Sequence, residues 1–155
     1  MTELRVPTVG LAAEILCADG RSFRGRIFVP ATASRHPGPM RPEEWMNEPT
    51  PFFPFLPDEA TAPVILNKTE VLVVDMPRSD EADALDEPTA PRRRVLVELG
   101  ERRLKGSLVI DMPENRSRVL YVLNRPEAFL MLKDGERQQL VQKQRITRVL
   151  EVREE

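Results

Sequence analysis

Apolar residues along this chain fall in short runs broken by turn-forming residues. The segment Glu14 to Val29 holds two such runs on either side of Asp19-Gly20, a dipeptide suited to a tight turn, and predicts a hairpin of two strands. Val64 to Val74 is rich in β-branched residues, and Val71 and Val73 alternate with Leu72 and Val74 as in a buried strand pair. A short turn at Asn67-Lys68-Thr69 divides that stretch in two. Gln138 to Val152 is ambiguous by itself, because Leu140, Val141, Ile146, Val149 and Leu150 nearly fit a helical period. Between the second and third strands, Pro42-Glu43-Glu44 places proline and acids where a helix starts, since the missing N–H and the helix dipole favour them there. Asn47 and Asn124 are expected to end two such short helices by adopting the left-handed conformation.

The ambiguity at Gln138 to Val152 is settled by comparing the chain with itself. Phe23-Arg24-Gly25 falls over Leu104-Lys105-Gly106, and the stretch from Arg41 to Asn47 falls over that from Arg118 to Asn124. Phe52-Phe53-Pro54-Phe55-Leu56 matches Ala128-Phe129-Leu130-Met131-Leu132, and Val64 to Val74 matches Gln139 to Val149. Four blocks recur in the same order, which predicts a duplication with the pattern β-β-α-β-β-β in each copy. The second copy therefore ends in strands, with its turn at Gln142-Lys143-Gln144. The expected organisation is a first β module over 8–77, an acidic linker with flanking prolines over 78–91, and a second β module over 92–153. Modules of roughly 60 residues sit near the lower limit for an independent core, so they are expected to pack on each other or on a partner.

Composition narrows the classes. Of 155 residues, 41% are hydrophobic and 31% charged, which suits a globular chain rather than a disordered one. The one cysteine, Cys17, cannot form an internal disulfide and lies in an apolar run, as a buried structural thiol would. His36 is the only histidine, so zinc sites of His/Cys spacing and a serine triad are not expected, and neither metal nor cofactor is predicted. No apolar run approaches the roughly 20 residues of a membrane span, and the N-terminus lacks a signal-type apolar segment, so a cytoplasmic protein is expected. Charge is uneven. Residues 1–90 hold 8 Lys/Arg against 15 Asp/Glu, a net of −7, and residues 91–155 hold 15 against 10, a net of +5. That asymmetry can steer an anionic partner to the second half, or let two halves or two copies attract head to tail.

The repeated pattern resembles the Sm-like fold, a small, strongly bent five-stranded barrel. The likeness rests on a glycine late in the second strand (Gly25, Gly106), an asparagine before the third, and a closing apolar-turn-apolar motif. That motif reads Ile65-Leu66-Asn67-Lys68-Thr69-Glu70-Val71 in one copy and Leu140-Val141-Gln142-Lys143-Gln144-Arg145-Ile146 in the other. The resemblance implies a mainly β chain of two tandem five-stranded barrels; the short helix inserted before strand 3 in each copy is this chain's departure from that pattern. The resemblance also implies a nucleobase pocket at the asparagine and closing-turn positions, although neither copy has the Arg-Gly pair usual in that turn. The module is similar as well to a bacterial repeat of uncharacterised function, of the form Gly…Arg-x-x-x-x-x-Asn…Phe…Lys-x-x-Ile/Val.

Candidate sites follow from these readings. Phe52, Phe53 and Phe55, flanked by prolines, exceed what one short strand would bury, so part of them is expected to form an exposed contact patch for a protein partner, with Trp45 nearby. Trp45 and Tyr121 are both expected to pack into the core from the helix segments. For nucleic acid or phosphate, the candidates are the run Arg92-Arg93-Arg94 with Asn67, Lys68, Asn124 and Lys143. The arginine run also resembles the start of the cyclic-di-GMP-binding PilZ pattern, but the matching Asp/Asn-x-Ser-x-x-Gly segment is absent. Glu43 and Glu44 are adjacent rather than facing, a poor acid/base pair, and no Gly-rich phosphate loop is present, so no enzyme is predicted. The expected function is a non-catalytic adaptor or regulatory module that binds a protein partner or itself. An Sm-like RNA binder using the basic second module is the alternative.

Overall fold

A computed structural model describes residues 7–78, 92–110 and 119–152; the predicted linker, from 79 onward, and the segment 111–118 lie outside them. The chain is mainly β, and its described residues form ten antiparallel strands in one unclosed sheet. In chain order they are β1 Thr8–Cys17, β2 Ser22–Pro30, β3 Phe52–Pro57, β4 Val64–Asn67, β5 Val71–Pro77, β6 Arg92–Leu99, β7 Arg102–Val109, β8 Phe129–Asp134, β9 Arg137–Gln142 and β10 Arg148–Glu151. Among the described residues, two five-residue helices, α1 Pro42–Met46 and α2 Val119–Leu123, precede β3 and β8. Single turns of 3-10 helix at Lys68–Glu70 and Lys143–Arg145 stand between β4 and β5 and between β9 and β10.

The predicted opening hairpin forms, with β1 paired to β2 from Thr8↔Pro30 to Leu16↔Ser22. Its turn is closed by the Gly20 N–H donating to the Cys17 carbonyl at 3.0 Å, and Gly20 takes φ +89°, which a side chain would oppose. Gly25 serves a different need. A Cβ there would stand 2.0 Å from the Leu56 carbonyl oxygen, so only glycine lets β3 run so close to β2, where Gly25 faces Pro57.

The sheet order is β10-β6-β7-β8-β9-β5-β1-β2-β3-β4. Read from either half's last strand, the connectivity is the same: β5-β1-β2-β3-β4 and β10-β6-β7-β8-β9. The last two strands of each half are not a hairpin. β4 pairs with β3 alone, whereas β5 lies between β1 and β9, so the 3-10 turn carries the chain across rather than back. The halves meet where β5 pairs with β9, from Val73↔Val141 to Pro77↔Arg137. β4 and β10 are left at the two ends of the sheet.

Strand alternation builds two apolar clusters. Ile15, Ile27, Phe53, Phe55 and Val74 lie in the first, and Val97, Leu108, Leu132 and Val141 in the second. The junction mixes them, because Phe129 and Leu140 of the second half insert into the first cluster and Val73 of the first half inserts into the second. Each such side chain contributes about 1.5–3 kcal/mol when taken out of water. Cys17 is buried, and burial, followed by the nearby Asp19 carboxylate, pushes its thiol pKa up.

Candidate functional site

The asparagines do not end their helices as expected. Asn47 has φ −91° and ψ 2°, and no non-glycine residue among those described has a positive φ. Its side chain instead reaches across the junction. Oδ1 accepts from the Phe129 N–H at 2.8 Å and Nδ2 donates to the Phe129 carbonyl at 3.2 Å. One amide thus imitates a strand partner for the first residue of β8, 82 residues away in sequence. Asn124 ends α2 in the same way by backbone, with its N–H on the Leu120 carbonyl at 3.1 Å where Asn47 uses Glu43. Its side chain is exposed and has no partner among the described residues.

Lys68 and Lys143 both spend their ammonium groups on the chain's own backbone and side chains. Lys68 is buried, with Nζ donating to the Glu48 carbonyl at 3.0 Å and to Thr50 Oγ1 at 3.3 Å. Lys143 Nζ donates to the carbonyls of Arg125, 2.6 Å, and Leu123, 3.3 Å. Each ammonium therefore meets at least one carbonyl at or just beyond the end of a short helix, and loss of solvent lowers the pKa of both lysines. Asn67 is likewise used locally. Its Oδ1 accepts from the Thr69 N–H at 3.0 Å and hydroxyl at 2.9 Å, an Asx turn that starts the 3-10 helix. Gln142, at the matching place in the second half, is buried and donates through Nε2 to the carbonyls of Lys68, Thr69 and Val71 at 3.0, 3.0 and 2.8 Å. Asn47 and Gln142 are thus two polar clasps on the junction that the sequence reading did not assign to it.

The phenylalanines separate by strand parity. Phe53 and Phe55 are core side chains, with Trp45 edge-on to Phe53 at 5.5 Å between ring centres, so these three are not an exposed patch. Phe52 points the other way and is 54% exposed. Tyr121, expected in the core, is exposed as well. The register also shifts the match between halves by one residue. Phe52 faces Asn67 and Phe129 faces Gln142, each just before its 3-10 turn, so Phe52 corresponds to Phe129 rather than to Ala128.

The arginine run lies in β6, where alternate residues face opposite sides, so Arg93 is turned away from Arg92 and Arg94. Arg94 donates to Ser107 Oγ at 3.2 Å and lies 3.6 Å from Asp134. An open cleft of 690 Å³ runs between α1 and the β7–β8 region, lined among others by Arg41, Glu44, Asn47, Arg125, Glu127 and Lys143. Its charges are of both signs. At its rim, His36 Nε2 meets Glu44 Oε1 in a short contact, and Glu44 also accepts from the Arg41 N–H at 3.0 Å. Burial pushes the Glu44 pKa up, but the hydrogen bonds from His36 and Arg41 outweigh it and the net shift is down; the Pro37 carbonyl and then Glu44 raise that of His36. In β6, Glu98 holds β10 through two bonds from Arg148, 2.9 and 2.8 Å, and this pairing lowers the Glu98 pKa.

Among the described residues there is no cluster of three or more His, Cys, Asp or Glu side chains able to hold a metal, and no helix long and apolar enough to cross a membrane. What the geometry does gather is apolar surface at the sheet's ends. Phe52, Val64 and Ile65 are exposed beside β4, and Leu150 and Val152 are exposed on or next to β10. Compared with known proteins, the chain matches no family model, and no curated protein or solved structure is significantly similar to it.

Proposed function

We propose that the chain is a non-catalytic interaction module, made of two copies of one small bent β-barrel, whose open sheet ends bind protein. One observation carries the reading. Large apolar side chains are exposed on or beside the two edge strands, and among the described residues each of these strands pairs on one side only, as a strand able to take another would. Ile65, 73% exposed, is the extreme case. The electrostatics favour protein over RNA, because Lys68 and Lys143 spend their charge on backbone carbonyls and the cleft mixes signs. Exposed Arg92 and Arg93 favour the second reading, an RNA binder of Sm-like type.

The test is capture on immobilised wild type and Ile65→Lys, each with and without nuclease. The module reading expects proteins retained by wild type, lost with the variant and indifferent to nuclease. Material that survives Ile65→Lys but disappears with nuclease, and whose affinity falls steeply with salt, would replace this reading with the RNA-binding one.

A further inference from the structure

The internal junction specifies what fits the two free edges. Count from the lysine that opens each 3-10 turn. Three residues before it stand Ile65 in β4 and Leu140 in β9; six after it stand Val74 in β5 and Val149 in β10. Leu140 and Val74 face each other across the junction. Their counterparts Ile65 and Val149 lie on the outer edges. Equivalent positions differ sharply in exposure. Leu140 is 0% and Phe129 4% exposed, because the first half covers them, while Ile65 is 73% and Phe52 54% exposed. The polar clasp is split in the same way. Asn47 is bonded to the backbone of Phe129, whereas its counterpart Asn124 has no side-chain partner among the described residues and Phe52, the counterpart of Phe129, is uncovered. Donor surface and acceptor surface thus lie at opposite ends of one chain, near its positive and negative halves respectively.

We infer that a second copy of this chain occupies the free edge, with β10 of one copy pairing antiparallel to β4 of the next as β5 pairs with β9. This deepens the interaction-module reading and rests on it. The transferred register puts Val149 opposite Ile65, Leu150 opposite Val64 and Arg148 opposite Leu66. It brings Asn124 of one copy to the Phe52 backbone of the next. At the internal junction Arg137 pairs with Asp75 at 3.0 Å; the corresponding outer positions are Ala62 and Leu150, so the outer contact replaces an ion pair with apolar surface. The two surfaces are different, so the contact is head to tail, and growth stops only when a row of copies closes on itself.

Light scattering on the full chain tests this with two edge variants, Ile65→Lys and Leu150→Lys, each placing a charge on an already exposed position. Wild type should have a mass that is a multiple of 17.7 kDa, and each variant alone should fall to 17.7 kDa with an unchanged circular dichroism spectrum. Each variant keeps one intact edge, so mixing them should give a one-to-one dimer that does not grow. A wild type monomeric at every concentration, a mixture that stays monomeric, or Leu150→Lys that still assembles through a symmetric β4 contact overturns the inference. The broader reading fails separately: wild-type monomers that still capture another protein through Ile65 refute only self-assembly, whereas monomers that capture nothing refute both.

Discussion

Replacing Asn47 by alanine removes one side chain and two hydrogen bonds, to the N–H and the carbonyl of Phe129 at 2.8 and 3.2 Å. Each bond is worth about 1 kcal/mol net, and stranding the backbone groups of a residue only 4% exposed adds about another 1 kcal/mol. The sum is roughly 3 kcal/mol. For a chain of 155 residues, that lowers the melting temperature by about 6–12 °C. Asn124→Ala is the internal control. It truncates the same residue type at the same place after a helix, but with no side-chain partner, so its cost should stay within about 0.5 kcal/mol. Both substitutions are made in the Ile65→Lys background so that association does not contribute, and both are followed by thermal and urea unfolding. Asn47→Asp refines the test. It keeps the acceptor for the Phe129 N–H but sets a carboxylate against the Phe129 carbonyl, so at neutral pH it should be no better than alanine. Equal losses at Asn47 and Asn124 would refute the clasp.

Four other substitutions probe the remaining contacts. Gln142→Met keeps the volume but leaves the carbonyls of Lys68, Thr69 and Val71 without their donor; a loss of about 2 kcal/mol in urea unfolding is expected, with the 3-10 turn at Lys68 exchanging its amides faster. Gly25→Ala drives a methyl group into the Leu56 carbonyl and should cost about 1–3 kcal/mol, more than Gly106→Ala, whose nearest clash is the Leu132 side chain at 2.9 Å. Glu98 has a pKa lowered by Arg148, so its pairing stabilises the fold above the ordinary carboxylate range and is lost as pH falls through the depressed value. Thermal melts against pH should therefore show wild type above Glu98→Gln near neutrality and the two converging in acid; parallel curves would contradict the assignment.

Much of the secondary structure was legible because its causes are local. Asp19-Gly20 supplied the turn, the β-branched run at Val64 to Val74 supplied strands, and comparison of the halves rejected a helix at Gln138 to Val152. The arrangement of those strands was not legible, because it is set by pairings far apart in sequence. Nothing near Val71 says that β5 joins β1 and β9 instead of folding back on β4. Phe52 and Phe53 illustrate the same limit. Three aromatic residues in four positions look like one patch, yet a one-residue difference in register sends Phe52 to the surface and Phe53 to the core. In the sequence the lysines look like ordinary turn residues, because their carbonyl acceptors, at or just beyond the ends of α1 and α2, lie 18–20 residues upstream. One signal was present. A lysine follows the asparagine of each half at a similar interval, Asn47 to Lys68 and Asn124 to Lys143, and a cation recurring at that place in both halves points to a shared backbone need.

The two halves are joined in one continuous sheet through β5 bonded to β9. Nuclear Overhauser contacts in the Ile65→Lys protein test that pairing directly. Cross-strand contacts between Val74 and Leu140 and between Met76 and Gln138, with slow amide exchange along both strands, are the predicted result. Halves that each give their internal contacts but none between these pairs, with amides of Val71–Pro77 exchanging as freely as those of Val64–Asn67, would contradict it.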